Sequence, residues 1–324
     1  MILTGDVGAT VTRLALYEEG RELRKVAEEH YLSQNYSNLL PIVQAFLKQH
    51  RKPKPTRAAF GIAGPVSKGR CQATNLSWFV DAKELERELQ ISPISLINDL
   101  EANAWGIRAL KPHDLCLLHA GESKLSGNAA LIAAGTGLGE AGLYWDGRQH
   151  HPFASEGGHA DFGPRNDLEM ELLRYLRKIH DHVSYERIIS GPGLYQIYQF
   201  LIFSGMESAS KEVQSEMTQK DPPAVISDWG RHNRDPACAR AVEWFLSLYG
   251  AEAGNLALKM MALGGLYISG KIARIFLENM KKGGFIQSFI DKGRFSPLLK
   301  TISVYMILNE EAPLLGAAEY ARVH

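Results

Sequence analysis

The side chains best suited to chemistry in this chain are a few acids placed where apolar runs end. In Ile94-Ser95-Leu96-Ile97-Asn98-Asp99-Leu100-Glu101, a short apolar run meets a polar pair and passes into a segment with helical spacing. Such a run reads as a buried strand, which puts Asp99 at its C-terminal mouth, the end of an open α/β sheet where ligands collect. A carboxylate there is a candidate general base for moving a phosphoryl group onto a hydroxyl. Asn and Asp are also favoured helix N-caps, so the same pair reads as the start of a helix over 100–110. A second acidic group lies in Ser155-Glu156-Gly157-Gly158-His159-Ala160-Asp161-Phe162-Gly163-Pro164, a compact polar loop built on paired glycines. Hydroxyl recognition, a metal site and an ordinary turn compete for it. Metal is disfavoured, because Glu156 and His159 have no thiolates close by and the spacing is not H-E-x-x-H. Glu186 adds another carboxylate just before the Gly191-Pro192 turn, where it also reads as a first-turn helix residue favoured by the macrodipole. Asn75, in a polar loop, can bond a sugar hydroxyl or its own backbone.

These groups need elements to hold them, and glycine turns mark the main ones. Met1 to Tyr17 reads as a hairpin, with Thr12, Leu14 and Leu16 alternating against Arg13, Ala15 and Tyr17. Its Gly5 and Gly8 allow positive φ and leave backbone N–H groups open to a phosphate. Asp6 beside them can hold a hydrated magnesium ion, and an ordinary hairpin turn is the plain alternative. Strand, glycine turn and strand return over 128–144 around Gly135-Thr136-Gly137-Leu138-Gly139. Two such hairpins, about 130 residues apart, imply two related lobes that each present a backbone nest to one anion. Gly265 to Lys271 formally satisfies G-x-x-x-x-G-K, but Leu266, Tyr267 and Ile268 are strand-formers and Ile272 stands where Ser or Thr would bind magnesium. It is read instead as strand, Gly270 turn and a helix over 272–282 stopped by Gly283-Gly284, whose N-terminus can meet a nucleotide. Helices are also expected over 39–50 and 82–89, and a strand over 58–62 that ends in Gly64-Pro65.

Composition narrows the partners. With 324 residues, 45% apolar content and 36 basic against 36 acidic side chains, the chain has room for two lobes. It also has no net field to draw it to nucleic acid or an anionic membrane, so a small-molecule role is expected. Cys71, Cys116 and Cys238 are far apart and make no C-x-x-C pair, so they read as idle thiols in a reducing compartment. No stretch approaches the roughly 20 apolar residues of a membrane span, and Met1 leads straight into a strand pattern; a cytoplasmic protein is expected.

Taken in order, Gly5-Asp6-Val7-Gly8-Ala9-Thr10, Ile97-Asn98-Asp99, Gly135 to Gly139, Glu156 to Phe162 and Glu186 to Gly193 closely resemble the bacterial glucokinase family. Gly254-Asn255-Leu256-Ala257-Leu258, Asp291 to Phe295 and Leu314 to Ala317 agree, so the resemblance covers nearly the whole chain. It implies an α/β fold of two lobes, actin/hexokinase/Hsp70-like (ribonuclease H-like), with the active site in the interlobe cleft. The implied small lobe is 1–109 plus 303–324 and the large lobe is 110–302. It also implies ATP-dependent phosphorylation of the glucose 6-hydroxyl. Asp99 would be the base, and Asn98, Glu156, His159, Glu186 and Asn75 would contact the sugar. Gly5, Asp6, Gly8, Ala9, Thr10, Thr136, Gly137 and Gly270 would bind the nucleotide, with Mg²⁺ near Asp6 through water, in a homodimer. Two departures bear on ATP affinity: Ala9 stands where the family's first phosphate turn has a second glycine, and Lys271 where the adenosine turn has Gly-Gly. No cysteine-rich zinc motif follows His159, so no zinc is expected. A kinase for another hexose, or a non-kinase ATPase of the same fold, remains the alternative. A sugar-sensing repressor would need a DNA-binding helix-turn-helix ahead of Gly5, where only four residues stand.

Overall fold

The computed structural model describes residues 1–50, 54–74, 76–121 and 126–324. Asn75 lies outside the described residues. The chain divides into two compact units: Met1–Leu115 with His151–Ala154 and Asn309–His324, and Cys116–His150 with Ser155–Leu308.

In the first unit, five strands carry the sheet: β1 (Ile2–Val7), β2 (Val11–Glu18), β3 (Arg24–Leu32), β4 (Arg57–Ile62) and β5 (Ile94–Asn98). They lie in the order β3-β2-β1-β4-β5, with β1 antiparallel to β2 and parallel to β4, and β4 parallel to β5. The expected alternation along β2 is present, but both of its faces are covered. Leu14 and Leu16 enter a core with Phe46 and Phe60, while Ala15 and Tyr17 pack with Leu314, Ala317 and Ala318 of the C-terminal helix Ala312–Val323. The sheet is therefore buried on two sides, and the inside/outside pattern of a half-exposed hairpin gives way to apolar residues at successive positions. Helices Leu39–Gln49 and Ala82–Leu89 form where helical spacing placed them.

The second unit has β6 (Leu115–His119), β7 (Ala129–Ala134), β8 (Leu138–Trp145), β9 (Leu266–Ser269) and β10 (Val304–Ile307). Here β8-β7-β9-β10 repeats the neighbour order and directions of β2-β1-β4-β5: β7 is antiparallel to β8 and parallel to β9, and β9 is parallel to β10. The kinship inferred from two glycine hairpins thus extends to whole sheets. Because β10 belongs to this sheet, the chain passes to the other unit at Asn309, beyond the position 303 inferred from the sequence. The core of this unit centres on the long helix Pro236–Met260, whose Phe245 and Tyr249 pack among Phe276 and Phe285. The helix expected over 272–282 is two short pieces, Lys271–Ile275 and Leu277–Met280, separated at Phe276. Gly283 takes φ +101° and ends them as expected. Among the described residues, no helix is long and apolar enough to cross a membrane.

The helix Asp99–Gly106 that follows β5 is fixed by backbone contact with the C-terminal helix. A Cβ at Gly316 would lie 1.7 Å from the Ala102 carbonyl oxygen, and one at Gly106 would lie 2.1 Å from the Ala312 carbonyl oxygen. The two helices approach closer than any side chain permits. Gly316→Ala should therefore lower unfolding free energy by roughly 1–3 kcal/mol or more through overpacking. Gly20→Ala, whose Cβ would meet nothing nearer than 3.5 Å, is the control. Equal urea midpoints for the two variants would show that this approach does not hold the helix.

Candidate active site

In the first unit, Asp99 opens its helix directly after β5, half-buried, with Asn98 as N-cap. Both sequence readings of the pair are therefore realised together: the strand ends at Asn98 and the helix starts at Asp99. The cap is Asn98 itself. Its Oδ1 accepts from the Leu100 and Glu101 N–H groups at 2.9 and 3.3 Å, and its buried Nδ2 donates to the Gly64 carbonyl at 3.2 Å. Gly61 lets β4 come close to this junction, since a Cβ there would stand 2.8 Å from the Ala102 methyl.

The turn between β1 and β2 is braced from outside. Gly8 N–H bonds the Val11 carbonyl, Ser33 Oγ donates to the Gly8 carbonyl at 2.7 Å, and Ser33 N–H donates to the Thr10 carbonyl. Thr10 stands exposed at the tip beside Ala9. Gly5 and Gly8 do not use the positive φ open to them. Gly5 is a buried strand residue, and its reason is packing: a Cβ would lie 2.5 Å from the Phe60 ring and 2.9 Å from Leu14. Asp6 is held across the hairpin by Arg13, whose Nε and Nη2 both donate to Oδ2 at 3.1 and 2.6 Å. Burial works to lower the Arg13 pKa, but the adjoining Asp6 carboxylate outweighs it and the guanidinium is raised overall.

In the second unit, the turn Gly135-Thr136-Gly137 and Glu186 form one construction. Gly135 N–H bonds the Gly137 carbonyl, its own carbonyl accepts from Gly191 N–H, and Leu138 N–H donates to Glu186 Oε2 at 3.0 Å. A Cβ at Gly137 would lie 2.4 Å from that same oxygen. Glu186 Oε1 stands 3.9 Å from His159 Nδ1. The structure thus brings Glu186, His159 and the second glycine turn together, with Thr136 exposed at its tip. Glu156 is exposed and precedes the 3₁₀ turn Gly157–His159, and its carbonyl accepts from His159 N–H. Gly270, at φ +94° with a would-be Cβ 2.4 Å from the Ala134 carbonyl oxygen, locks the end of β9 to the end of β7. The five-residue helix after it is too short to carry a strong N-terminal dipole.

Four bracing residues carry no motif that singles them out. Arg13 has the clearest signal, since it stands opposite Asp6 once the hairpin is drawn. Ser33 carries no motif. Glu140 and Glu252 signal themselves only as acids inside apolar segments, β8 and the long helix; both are buried. Among the described residues, no group of three or more His, Cys, Asp or Glu could hold a metal ion. His182 bonds Asp161 and His180 bonds Gln196, so each of these two histidines has a local partner.

The family model described as glucokinase matches residues 3–324. A glucokinase from a Nostoc species is 44% identical, with 98% of each chain covered. Among solved structures, a glucokinase from an Antarctic psychrotroph superposes with a TM-score of 0.87 at 29% identity, covering 100% of this chain and 99% of its own. A ROK family glucokinase from Streptomyces griseus, in complex with glucose and AMPPNP, shares the fold at a TM-score of 0.68 and 18% identity, over 99% and 100% of the two chains. These likenesses agree with the two-lobed α/β fold and with the resemblance read from the ordered motifs.

Asn98 joins capping to the Gly64 contact, so its truncation should be costlier than loss of a surface cap. Asn98→Ala should destabilise by about 2 kcal/mol, combining a lost cap with an unpaired buried carbonyl. Asn98→Asp, which keeps the cap acceptor, should recover about half of that in urea unfolding. Equal losses in the two variants would remove the cap from this account.

Proposed function

The chain belongs to the glucokinase family, and on that premise we propose that it transfers the γ-phosphoryl group of ATP to the 6-hydroxyl of D-glucose. The observation that carries this reading is the shared hydrogen bond of Glu186 with Leu138 N–H, beside His159. A glycine turn suited to phosphate and an acid suited to sugar hydroxyls are built as one rigid piece. In this reading Glu186 and Glu156 accept from sugar hydroxyls, and His159 adds a hydrogen bond of its own. Asn98 contributes the Nδ2 hydrogen left after its bond to Gly64. Asn75 stays in the proposal from sequence alone.

Asp99 is the proposed general base. It accepts the proton of the sugar hydroxyl as that oxygen bonds the γ-phosphorus and the bond to the leaving ADP oxygen breaks. The backbone around Gly8-Ala9-Thr10 and Thr136-Gly137 is assigned to the phosphates, whose charge those N–H groups would spread. Gly5 would serve the first turn by packing, and Gly270 would lie at the adenosine end. Magnesium, when bound, would neutralise charge developing on the phosphoryl oxygens. Asp6 fits that role in one respect: both Arg13 bonds end on Oδ2, so Oδ1 takes neither and can accept from metal-bound water. The homodimer and cytoplasmic location implied by the resemblance belong to the same proposal.

Coupled ADP detection over a hexose panel tests the reading, with turnover expected to require glucose. Asp99→Asn should lower kcat by about 10²- to 10⁴-fold and leave glucose binding, measured by calorimetry, close to that of the parent. Turnover without sugar would favour an ATPase, and a variant that keeps its kcat would take the base role from Asp99.

A further inference from the structure

Behind the Gly157–His159 turn lies a buried polar cluster that the proposed reaction does not use. Glu140 points inward from β8 and is 1% exposed; Glu252, on the long helix, is 0% exposed. Burial first, and then the charge of the neighbouring Glu252, raise the Glu140 carboxyl, and two adjoining buried carboxyls do not both ionise. Glu252 has the cationic and amide partners: Lys259 Nζ at 3.3 Å and Asn255 Nδ2 at 2.8 Å, with Asn255 reaching on to Tyr185 Oη at 3.0 Å. Burial, and then the charge of Glu252, raise the Tyr185 hydroxyl. Lys259 stands beside Glu252, and burial favours the protonated form at Glu140. Glu140 also reaches the turn directly, because a Cβ at Gly157 would lie 2.0 Å from its Oε2. Gly157 N–H is tied to Ser155 Oγ, and Gly158 presses on the Leu138 carbonyl, where a Cβ would be 2.0 Å away. The turn thus rests on β8 through contacts with no room for a Cβ, and the acid pair is its floor.

We propose that Glu140 and Glu252 share one proton, and that this hydrogen-bonded pair seats the Gly157–His159 turn, making Glu140 a positioning residue for Glu156 and His159. The proposal rests on reading that turn as sugar-binding. Burial, then the charge of Glu252, push the Glu140 carboxyl up to about 8 against the opposing pull of Lys259. The other groups near the pair are Tyr185 and Tyr249, both raised by burial, and Lys292, lowered to about 8 by burial and then by Arg165. None replaces the shared proton. Because the folded value lies above the usual carboxyl range, the contribution of the pair is complete at low pH and is lost as pH rises through about 8. Above that, two carboxylates face each other under the turn.

The test compares parent, Glu140→Gln and Glu140→Ala enzymes between about pH 6 and pH 10, reading glucose KM, ATP KM and amide exchange of the 155–160 segment. Glu140→Ala should raise glucose KM about tenfold through misplacement, leave ATP KM unchanged and speed exchange. Glu140→Gln, which keeps a donor toward Glu252, should hold a parent-like glucose KM and abolish the rise that the parent shows above pH 8 or so. Unchanged glucose KM and exchange in Glu140→Ala, or a parent-like alkaline rise in Glu140→Gln, overturns the proposal. Should Glu140→Ala not fold, the Gln profile decides alone. Should the parent lack glucose-dependent turnover, the functional reading fails separately. Exchange then decides the seating: acceleration at alkaline pH in the parent but not in Glu140→Gln sustains it, and identical profiles end it.

Discussion

The proposed chemistry depends on backbone passing closer to its neighbours than a Cβ allows. The helix that begins at Asp99 meets the C-terminal helix at Gly106 and Gly316, and the turn between Glu156 and His159 meets β8 at Gly157 and Gly158. Each contact is short-range and repulsive on its inner side, so it behaves as a stop rather than a spring. Side chains carried by such segments inherit a fixed origin, and only their own rotamers remain to be set. Positioning to a fraction of an ångström is what phosphoryl transfer demands of a protein, because little covalent work is left for it.

The two units share a sheet plan but brace their glycine turns with different chemistry. In the first, a serine hydroxyl from a distant segment clamps the turn, and the neighbouring Asp6 has its charge balanced by Arg13. In the second, the turn is clamped by a carboxylate, Glu186, that takes the Leu138 N–H. A carboxylate bonded to backbone N–H is a strong acceptor with oxygen lone pairs to spare. Duplicated architecture thus yields two unlike ends: one suited to carry a balanced acid near phosphate, the other to offer a negative acceptor to hydroxyl groups.

What could be read from the sequence follows from the range of the forces involved. The hairpins around Gly8 and Gly137, the helix Ala82–Leu89, the strand ending at Asn98 and the rejection of the P-loop at Gly270 all rest on local periodicity and turn chemistry, which act within a few residues. The break at Phe276 and the place of β10 depend on tertiary packing, which a local pattern does not encode. Gly5 illustrates the difference most sharply. Glycine before an acid in a hairpin suggests a phosphate turn, yet Phe60, 55 positions away, is what excludes a side chain there. Asn98 and Asp99 looked like competing choices between cap and ligand, although one residue caps the helix that the next one opens. Glu140 was the least legible, since a single acid inside an apolar strand acquires meaning only when a second one arrives from the long helix.

That second acid also explains why a polar floor, rather than an apolar one, lies beneath the turn. Two apolar side chains would fill the space behind Gly157 and would cost less to bury than two carboxyls. They would also leave the turn free to slide, because dispersion is nondirectional. The acid pair admits one arrangement of donor and acceptor, tied through Asn255 to Tyr185 and through Lys259 to the surface. Glu140 Oε1 still lacks a hydrogen-bond partner, an unmet group of the sort that buried networks carry at a cost in stability. A network that is incomplete yet still directional contributes little to holding the fold together. Its physical return is placement: it sets where the backbone of the turn must lie before any ligand arrives.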